Sequence, residues 1–359
     1  MKIAIISTIL RPTLPAGLGG MATFNYNLSS GLVQAGEDIT LFATSDSQTK
    51  AKLCPITERP ILADDESAPS LAQKNLENAA LVKIMRYIKN QDFDLIHHSH
   101  NNFIAVYLSI IFGLKSVLTF HVAKDIDFID NLKYSLGEKF SEIKCIAISK
   151  AQEKLFQDID FYGQVYNGTD LSQFEFNDSP QDYLCWMGRI AQYKGTKEAV
   201  EVATKTNKKL KVAGPVNNQD YWGEVKSGFN EKIEYLGIVD ANKRKILLKN
   251  AKALLFPIDW EEPFGLIMIE AMACGTPVIA FRRGAVSEIV KNGVTGFVCQ
   301  PKNMRSMIEA VGRIYQMKGK DYRTMRQACK EHVEKNFSMQ QMVKNYRKIY
   351  QKILQEGGS

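Results

Sequence analysis

One segment of the chain combines carboxylates with the signals of a helix followed by a strand. It reads EEPFGLIMIEAMACGTPVIA over residues 261–280, and beyond its first residue, Glu261, it contains Glu262 and Glu270 in an otherwise apolar stretch. Proline is tolerated in the first turn of a helix but not in its interior, so Pro263 predicts Glu262 just before a helix and Glu270 about two turns inside it. Two carboxylates at this spacing indicate either a solvated face or a ligand site.

The start of this predicted helix has groups that suit an anion. The backbone amides of Phe264, Gly265 and Leu266 would be N-terminal donors without helical partners, and such amides attract phosphate. A helix terminus contributes only about 0.3 to 1 kcal/mol for each exposed anionic charge. Nearby cations would therefore be needed to hold a diphosphate.

Two suitable cations follow another predicted strand. Arg189 and Lys194 occur in the stretch GRIAQYKG, where a glycine on each side lets the backbone approach a ligand closely. A carboxylate beside a phosphate would repel it, so we expect Glu262 and Glu270 to face neutral groups rich in hydroxyls. The sequence therefore predicts a nucleoside diphosphate sugar, with the cations at the phosphates and a carboxylate at each sugar.

A glycine cluster, AGLGGMATF, allows a different interpretation. Gly17, Gly19 and Ala22 match the dinucleotide pattern Gly-x-Gly-x-x-Gly/Ala. The match begins about nine residues after the first predicted strand, however, whereas a dinucleotide fold turns tightly there. A loop whose Gly19 and Gly20 amides approach a phosphate fits better, and a flexible turn is the simplest alternative. An NAD-dependent oxidoreductase would leave Glu262 and the other charged candidates unexplained.

Histidines are the remaining candidates for chemistry. The stretch HHSH puts His98 and His100 on one strand face, but no neighbouring Cys or carboxylate completes a set of metal ligands. Because Arg189 and Lys194 supply positive charge for a diphosphate, we expect no divalent metal and no cofactor besides the nucleotide sugar. His121 follows SVLTF at the carboxyl end of a predicted strand, where it is either functional or structural.

The elements that must position these residues form two series of alternating strands and helices. Such alternation predicts parallel sheets covered by helices on both faces. Strands of the first series are predicted at residues 2–7, 38–43, 95–98, 116–120, 144–148 and 163–166, with a loop at 55–69. A second series follows the polar stretch NGTDLSQFEFNDSPQD, and three helical patterns end the chain. Two doubly wound units with a ligand cleft between them are predicted.

Length, composition and charge limit the classes of protein to which the chain can belong. The 359 residues suffice for about two domains, and 45% hydrophobic with 24% charged residues is typical of a soluble globular protein. The net charge of +7 suits an anionic ligand, a nucleic acid or an acidic membrane surface. No basic run favours nucleic acid, and the six scattered cysteines favour a reducing cytoplasm. The longest apolar stretch, residues 103–114, is too short to span a bilayer.

Several motifs of the chain, taken together, resemble those of one protein family. Glu262-Pro-Phe-Gly-Leu with Glu270 resembles the Glu-x7-Glu signature of family 4 glycosyltransferases, the "group 1" retaining enzymes of the GT-B fold. The stretches LGGMATF, LTFH, VYNGTD, GRIAQYKG and ACGTPVIAF occur in the order of that family and cover nearly the whole chain. The resemblance implies two Rossmann-like α/β domains that face each other across a cleft. Residues 1–168 would bind the acceptor, residues 169–336 would bind the nucleotide-sugar donor, and a helix at 337–359 would cross back to the N-terminal domain.

The resemblance also implies a role for each candidate residue. The catalytic set would be His121, Glu262, Arg189 and Lys194. Donor-binding roles would be distributed as follows: Gly19 and Gly20 near the phosphates, Arg189 and Lys194 on the diphosphate, Glu270 on the ribose, Glu262 with the amides of Phe264 and Gly265 on the transferred sugar, and Gly237, Ile238 and Val239 near the nucleobase. The family often has Asp or Gly where this chain has Val122, a departure that bears on acceptor contacts more than on donor binding.

The activity implied by the resemblance is that of a cytoplasmic, metal-independent, retaining hexosyltransferase. Its default donor would be a UDP-sugar carrying glucose, and its acceptor would be a small molecule, a saccharide or a lipid-linked compound. A lipid-linked acceptor would bring the protein to the inner face of the membrane as a peripheral partner. The alternative is a catalytically silent nucleotide-sugar-binding protein of the same fold. Loss of His121 or Glu262 would favour that alternative, and both residues are present.

Overall fold

The computed structural model describes residues 1–15, 19–62, 69–100, 102–121 and 126–356, without the side chains of residues 126 and 127. Gly17 of the glycine pattern and Val122 lie outside this description. The chain divides into two compact units. The first comprises Met1–Gly168 and Met339–Ser359, and the second comprises Thr169–Ser338.

The first unit is built on a parallel sheet covered by helices. Its strands are β1 (Lys2–Ser7), β2 (Asp38–Thr44), β3 (Lys52–Thr57), β4 (Leu95–Ser99), β5 (Ser116–Thr119), β6 (Lys144–Ala147) and β7 (Phe161–Gln164). Its first five helices are α1 (Gly20–Gln34), α2 (Leu71–Ile88), α3 (Phe103–Ile111), α4 (Ile126–Leu136) and α5 (Lys150–Leu155). Over the described residues the strand order is β3-β2-β1-β4-β5-β6-β7.

Two predictions for this sheet are wrong in part. No strand is predicted at Lys52–Thr57, where the structure has β3. The loop predicted at 55–69 also begins too early, because β3 continues to Thr57 and Pro55 pairs with Ala43 of β2. β3 lies at the edge of the sheet, where a strand tolerates the missing amide of proline. β7 lies two residues earlier than predicted, since Phe161 packs its ring against Phe120 with the ring centres 5.5 Å apart.

The second unit repeats the design with a smaller sheet. Its strands are β8 (Leu184–Met187), β9 (Leu210–Ala213), β10 (Ile233–Tyr235), β11 (Ala253–Phe256), β12 (Val278–Phe281) and β13 (Gly296–Cys299). Its helices are α6 (Thr196–Thr206), α7 (Gln219–Ser227), α8 (Ala241–Asn250), α9 (Leu266–Ala273), α10 (Val286–Ile289), α11 (Met304–Gln316) and α12 (Gly319–Asn336). Within the described part of the chain the order is β10-β9-β8-β11-β12-β13.

The strand order of the second unit decides where its loops meet. The order reverses between β8 and β11, which are parallel neighbours with Ala253 opposite Leu184. Ligands bind outside the carboxyl ends of the strands at such a switch point. The loops that leave β8 and β11 carry Lys194 and Glu262, so this topology brings the two segments singled out in the sequence to one edge of one sheet.

A further helix of the first unit comes from the end of the chain. Helix α13 (Met339–Glu356) packs on α1, where a side chain at Gly31 would lie 2.6 Å from Val343 and 2.9 Å from Met339. The absence of a side chain at Gly31 therefore permits this close packing. The two doubly wound α/β units, with α13 on the first, confirm the predicted fold class.

A buried arginine connects several helix ends in the second unit. Arg326 of α12 is fully buried and donates hydrogen bonds to the carbonyl oxygens of Lys249 (3.1 Å), Ala251 (3.1 Å) and Cys274 (3.3 Å). A further donation from its Nε reaches the carbonyl of Asn177 at 2.6 Å. These carbonyls lie at the C-terminal ends of α8 and α9 and in the segment that precedes β8, so one cation fixes all three.

A helix that crosses a bilayer needs about 20 predominantly apolar residues. Among the described residues, none of the helices has both the length and the apolar character that crossing a membrane would demand.

Candidate functional site

The centre of the candidate site is an ion pair between two predicted residues. Nζ of Lys194 lies 3.1 Å from Oε2 of Glu262, and the Glu262 residue is only 8% exposed. The same ammonium lies 4.2 Å from the centre of the Trp260 ring, a cation–π geometry. Lys194 is thus held by a carboxylate and an indole at the carboxyl edge of the second sheet.

A glycine and a backbone hydrogen bond bring the two loops together. Gly195 has a φ of 72°, and a side chain there would collide with the carbonyl oxygen of Pro257 at 1.9 Å. Glycine adopts this left-handed conformation without strain, and its missing side chain allows this approach. The amide of Asp259 then donates to the carbonyl of Tyr193 at 2.8 Å. These contacts fix the loop that carries Lys194 against the loop that carries Glu262.

The backbone of Glu262 is held from its other side as well. Its carbonyl oxygen accepts a hydrogen bond from the amide of Ala285 at 2.9 Å. A side chain at Gly284, whose φ is 51°, would lie 2.2 Å from that oxygen. The neighbouring carboxylate of Glu261 accepts from the Gly284 amide at 2.7 Å. The position of Glu262 therefore depends on a tight turn after β12.

Helix α9 begins later than the sequence predicts. It starts at Leu266 rather than at Pro263, because Gly265 takes a left-handed conformation with a φ of 88° that interrupts the helix. Glu270 is consequently about one turn inside the helix, and the prediction of two turns is wrong. Within the described residues no side chain caps this terminus.

The change of helix start also reassigns the three predicted amides. Leu266 is the first residue of α9, whereas Phe264 and Gly265 belong to the preceding loop. Phe264 is 2% exposed and packs its ring edge-on against Phe337 with the centres 5.8 Å apart. The loop that would face a sugar is therefore anchored by a buried aromatic side chain.

The second predicted carboxylate has a partner that the sequence analysis missed. Oε1 of Glu270 lies 3.3 Å from Nη2 of Arg244 on α8. The Glu270 residue is 3% exposed. Sequence gives little indication of this pair, because Arg244 stands between Lys243 and Lys245 and only the packing of α8 on α9 selects among the three cations.

The other predicted donor residues of this unit lie near the same edge of the sheet. Among the described residues, no hydrogen bond or ionic contact joins them to the two ion pairs. Arg189 follows β8 and is exposed to solvent. Gly237, Ile238 and Val239 form the connection between β10 and α8, where the carbonyl of Gly237 accepts from the Gly214 amide at 2.8 Å. Ile238 is 54% exposed, so an apolar side chain is available in the segment predicted to lie near the nucleobase.

His121 lies in the first unit, two residues after β5. Its Nε2 is 3.0 Å from the hydroxyl of Ser99, and its ring packs edge-on against Phe24 with the centres 4.4 Å apart. Burial lowers the pKa of His121 to about 3. The ring is therefore a neutral imidazole near neutral pH. Ser99 was not singled out in the sequence, although it ends β4, which pairs with β5, the strand that His121 follows.

Gly19 and Gly20 also lie in the first unit, at the start of α1. Gly20 is the first residue of the helix and Gly19, with a φ of 111°, precedes it. Both are exposed. The expectation that both belong to a loop is thus wrong for Gly20, because the left-handed conformation of Gly19 ends the loop one residue earlier. An amide at the start of α1 remains suited to an anion.

The HHSH stretch has partners within the protein. Nδ1 of His98 lies 3.2 Å from Nε2 of His100, and Nε2 of His98 lies 2.8 Å from the hydroxyl of Ser109. Nδ1 of His97 lies 2.5 Å from the hydroxyl of Tyr350 on α13. Across the described ranges, no group of three or more His, Cys, Asp or Glu side chains is arranged to hold a metal ion.

Comparison with family models gives two adjacent matches. The model described as Glycosyl transferases group 1 matches residues 169–335. The model described as Glycosyltransferase Family 4 matches residues 18–173. Together they cover both units apart from the two ends of the chain.

Individual proteins are similar to this chain over most of its length. An uncharacterized glycosyltransferase of Methanocaldococcus jannaschii is 24% identical, over 88% of this chain and 89% of its own length. The structure of sucrose-phosphate synthase from Thermosynechococcus elongatus matches with a TM-score of 0.76 at 19% identity, over 99% of this chain and all of that chain. Anabaena HepE in complex with UDP and glucose matches with a TM-score of 0.76 at 17% identity, over 97% of this chain and 98% of that chain.

Proposed function

This chain belongs to the group 1 glycosyltransferases, family 4, and on that premise we propose that it transfers a hexose, by default glucose, from a UDP-sugar to an acceptor hydroxyl with retention of anomeric configuration. The acceptor class is a small molecule, a saccharide or a lipid-linked compound. The observation that carries the proposal is the placement of Lys194 against Glu262 at the switch point of the second sheet.

The choice of UDP and glucose is supported by a structural relative. The Anabaena protein HepE has the same fold and is in complex with UDP and glucose. In this chain the segment of Gly237, Ile238 and Val239 would lie near the base, and Glu270 would accept hydrogen bonds from the ribose hydroxyls. Ionised carboxylates are strong acceptors for such donors.

The proposed chemistry depends on charge that develops at the leaving group. The bond between the anomeric carbon and the diphosphate oxygen breaks, a bond to the acceptor oxygen forms on the same face, and the acceptor proton passes to the leaving phosphate. Negative charge therefore grows on the diphosphate in the transition state. Cations placed there in advance, Arg189 and Lys194, stabilise the transition state more than the ground state. The same cations support a reaction without a divalent metal.

Glu262 has two roles in this proposal. Before the donor binds, it forms the ion pair with Lys194 that the structure contains. When the diphosphate takes the ammonium as its own partner, the carboxylate becomes the acceptor for hydroxyls of the transferred sugar. His121 would assist at the acceptor side as a neutral imidazole, because its pKa is lowered to about 3.

A binding panel followed by an activity assay tests this function. The thermal midpoint is measured with UDP, GDP, ADP and NAD, and hydrolysis and transfer are then measured with the matching sugar nucleotides. We expect UDP to stabilise the protein and UDP-glucose to be hydrolysed. Stabilisation by NAD but by no nucleoside diphosphate would contradict the glycosyltransferase activity. Binding of UDP-glucose without turnover, across a panel of acceptors, would favour the silent binding protein.

Two substitutions separate the predicted roles of the glutamates. Glu270→Ala should weaken UDP binding, whereas Glu262→Ala should reduce transfer more than binding. Glu309→Ala is a suitable control, because Glu309 forms a surface pair with Arg305, whose side chain is 88% exposed. If both site variants bind and turn over like the control, the two carboxylates have no role in the reaction.

A further inference from the structure

The ion pair between Arg244 and Glu270 connects two elements with different predicted roles. Arg244 is near the start of α8, which follows the segment predicted to lie at the nucleobase. Glu270 is in α9 and is predicted to bind the ribose. The distance between Nη2 and Oε1 is 3.3 Å, and the exposed fractions of the two side chains are 20% and 4%. The pair is therefore largely shielded from solvent. The attraction between two charges is stronger in such a place than at the surface.

Local capping fixes the start of α8, and with it the position of Arg244. The side chain of Asp240 accepts a hydrogen bond from the amide of Lys243 at 2.8 Å. The carbonyl of Asp240 accepts from the amide of Arg244 at 2.9 Å. An N-cap aspartate of this kind stabilises a helix start by about 1 kcal/mol. These hydrogen bonds thus fix the position of the Arg244 backbone relative to the segment that precedes the helix.

Neighbouring cations on α8 are directed elsewhere. Lys245 bonds through Nζ to Oε1 of Gln173 at 3.1 Å, and Lys243 is exposed. Nε of Arg244 is buried and has no hydrogen-bond partner among the described residues. Within the described part of the chain, the guanidinium thus contacts Glu270 through Nη2 while its Nε stays unpaired.

We infer that Arg244 is a positioning residue for the nucleotide: it holds Oε1 of Glu270 so that the other oxygen, Oε2, faces the ribose hydroxyls. A guanidinium fixes a carboxylate more strictly than a lysine does, since it is planar and always charged. Removal of Arg244 should leave Glu270 free to rotate and should weaken recognition of the ribose. This inference rests on the proposed function, because it requires a nucleoside diphosphate as ligand.

The test compares two ligands that differ only at the ribose. Dissociation constants for UDP and for 2′,3′-dideoxy-UDP are measured by calorimetry on the full chain and on Arg244→Gln, Glu270→Gln and the double variant. We expect Arg244→Gln to weaken UDP binding about tenfold and to leave the dideoxy ligand nearly unchanged, since the loss of one charge-assisted contact has about this effect. The double variant should bind UDP no more weakly than Glu270→Gln alone, because both changes remove one interaction.

Steady-state kinetics give a second readout. With UDP-glucose, Arg244→Gln should raise KM and leave kcat close to that of the unmodified protein, since the ribose contact is equal in the ground and transition states. Arg244→Lys should restore part of the affinity. Lys243→Gln is the matched control on the same helix and should change neither constant.

Several results would overturn the inference. One is a Kd for UDP in Arg244→Gln equal to that of the control. Another is an equal loss for UDP and the dideoxy ligand, which would place the effect on the phosphates or on the fold. A third is additive losses in the double variant. These outcomes all require that the unmodified protein binds UDP. If it does not, the proposed UDP-dependent function fails first, and this inference fails with it.

Discussion

The hydroxyl of Tyr350 lies 2.5 Å from Nδ1 of His97 and connects the last helix to the middle of the first sheet. Nε2 of the same ring lies 2.9 Å from the hydroxyl of Thr119, which is in turn 3.0 Å from the hydroxyl of Tyr346. His97 and both tyrosines are fully buried. Helix α13 is therefore attached by a specific polar network as well as by apolar packing.

Tyr350→Phe should destabilise the protein by about 1–3 kcal/mol, because it leaves a buried imidazole nitrogen without its partner. The free energy of unfolding in urea, followed by far-UV circular dichroism, measures this loss. Tyr134→Phe is the control, since Tyr134 is 92% exposed and should tolerate the same change. Equal midpoints for the two variants would show that the hydroxyl of Tyr350 adds nothing to stability.

Three buried imidazoles, together with the partly buried ring of His121, should make the first unit sensitive to acid. Burial lowers the pKa of His97 and of His121 to about 3 and that of His100 to about 4, and it lowers the pKa of His98 as well. In the unfolded chain each group has a pKa near 6.5, so between pH 6.5 and about 4 the unfolded state binds more protons. Stability is therefore complete above pH 6.5 and falls as the pH decreases.

At pH values well below the unfolded pKa of these histidines and above their folded pKa, each of them should lower the free energy of unfolding by about 1.4 kcal/mol for every unit by which the pH falls. Urea unfolding at pH 7.5, 6.5 and 5.5 measures the slope. A midpoint that does not change over this range would mean that the rings are already charged in the folded protein, or that they are not buried.

Gly31→Ala should weaken the packing of α13 on α1. The new methyl group would lie 2.6 Å from Cγ2 of Val343 and 2.9 Å from Cγ of Met339, and overpacking of this kind costs about 1–3 kcal/mol. Gly312→Ala is a matched control within a helix, because nothing lies within 4 Å of a side chain there. We expect it to stabilise by up to about 1 kcal/mol. Adding Val343→Ala to Gly31→Ala should recover part of the lost stability. The thermal midpoints of the unmodified protein, the two glycine variants and the double variant measure these effects.

Lys194→Met should reduce the kcat for UDP-glucose about 10²-fold, because it removes a cation from the position where the leaving group gains charge. Steady-state transfer and hydrolysis assays measure this change. Lys197→Met is the control, since its side chain is 56% exposed and forms a surface pair with Glu224. An unchanged kcat with a raised KM would place Lys194 in ground-state binding alone and would contradict its proposed role in the transition state.

Hydrophobic periodicity was sufficient to predict most of the fold. Strands buried on both faces, such as Lys2–Ser7 and Ala253–Phe256, stand out as short apolar runs, and the alternation with helical patterns predicts parallel sheets. The strand Lys52–Thr57 was missed entirely, because it lies at an edge and contains a proline. Its sequence resembles that of a loop, because an edge strand forms backbone hydrogen bonds with a neighbouring strand on one side alone.

Details of the candidate site depended on packing that a single sequence does not specify. Pro263 is compatible with a helix start, but the left-handed conformation of Gly265 moves that start to Leu266. Arg244 could not be chosen among three consecutive cations, because the choice depends on the angle at which α8 meets α9. The pairing of Lys194 with Glu262 was not predicted either, since the sequence placed Lys194 at the phosphates and Glu262 at the sugar. The pair forms because the two loops leave adjacent strands. The roles of these residues stay predictions until the variants are measured.

The buried guanidinium of Arg326 has a consequence for hydrogen exchange. It binds carbonyls at the C-terminal ends of α8 and α9, while the opposite ends of both helices carry the candidate ligand contacts. Amide protons in the last turns of these helices should therefore exchange slowly even without nucleotide. Amides near Gly265 and Leu266 should exchange faster and become protected when UDP binds. Such a gradient along one short helix would mean that the substrate rigidifies only the end that it contacts.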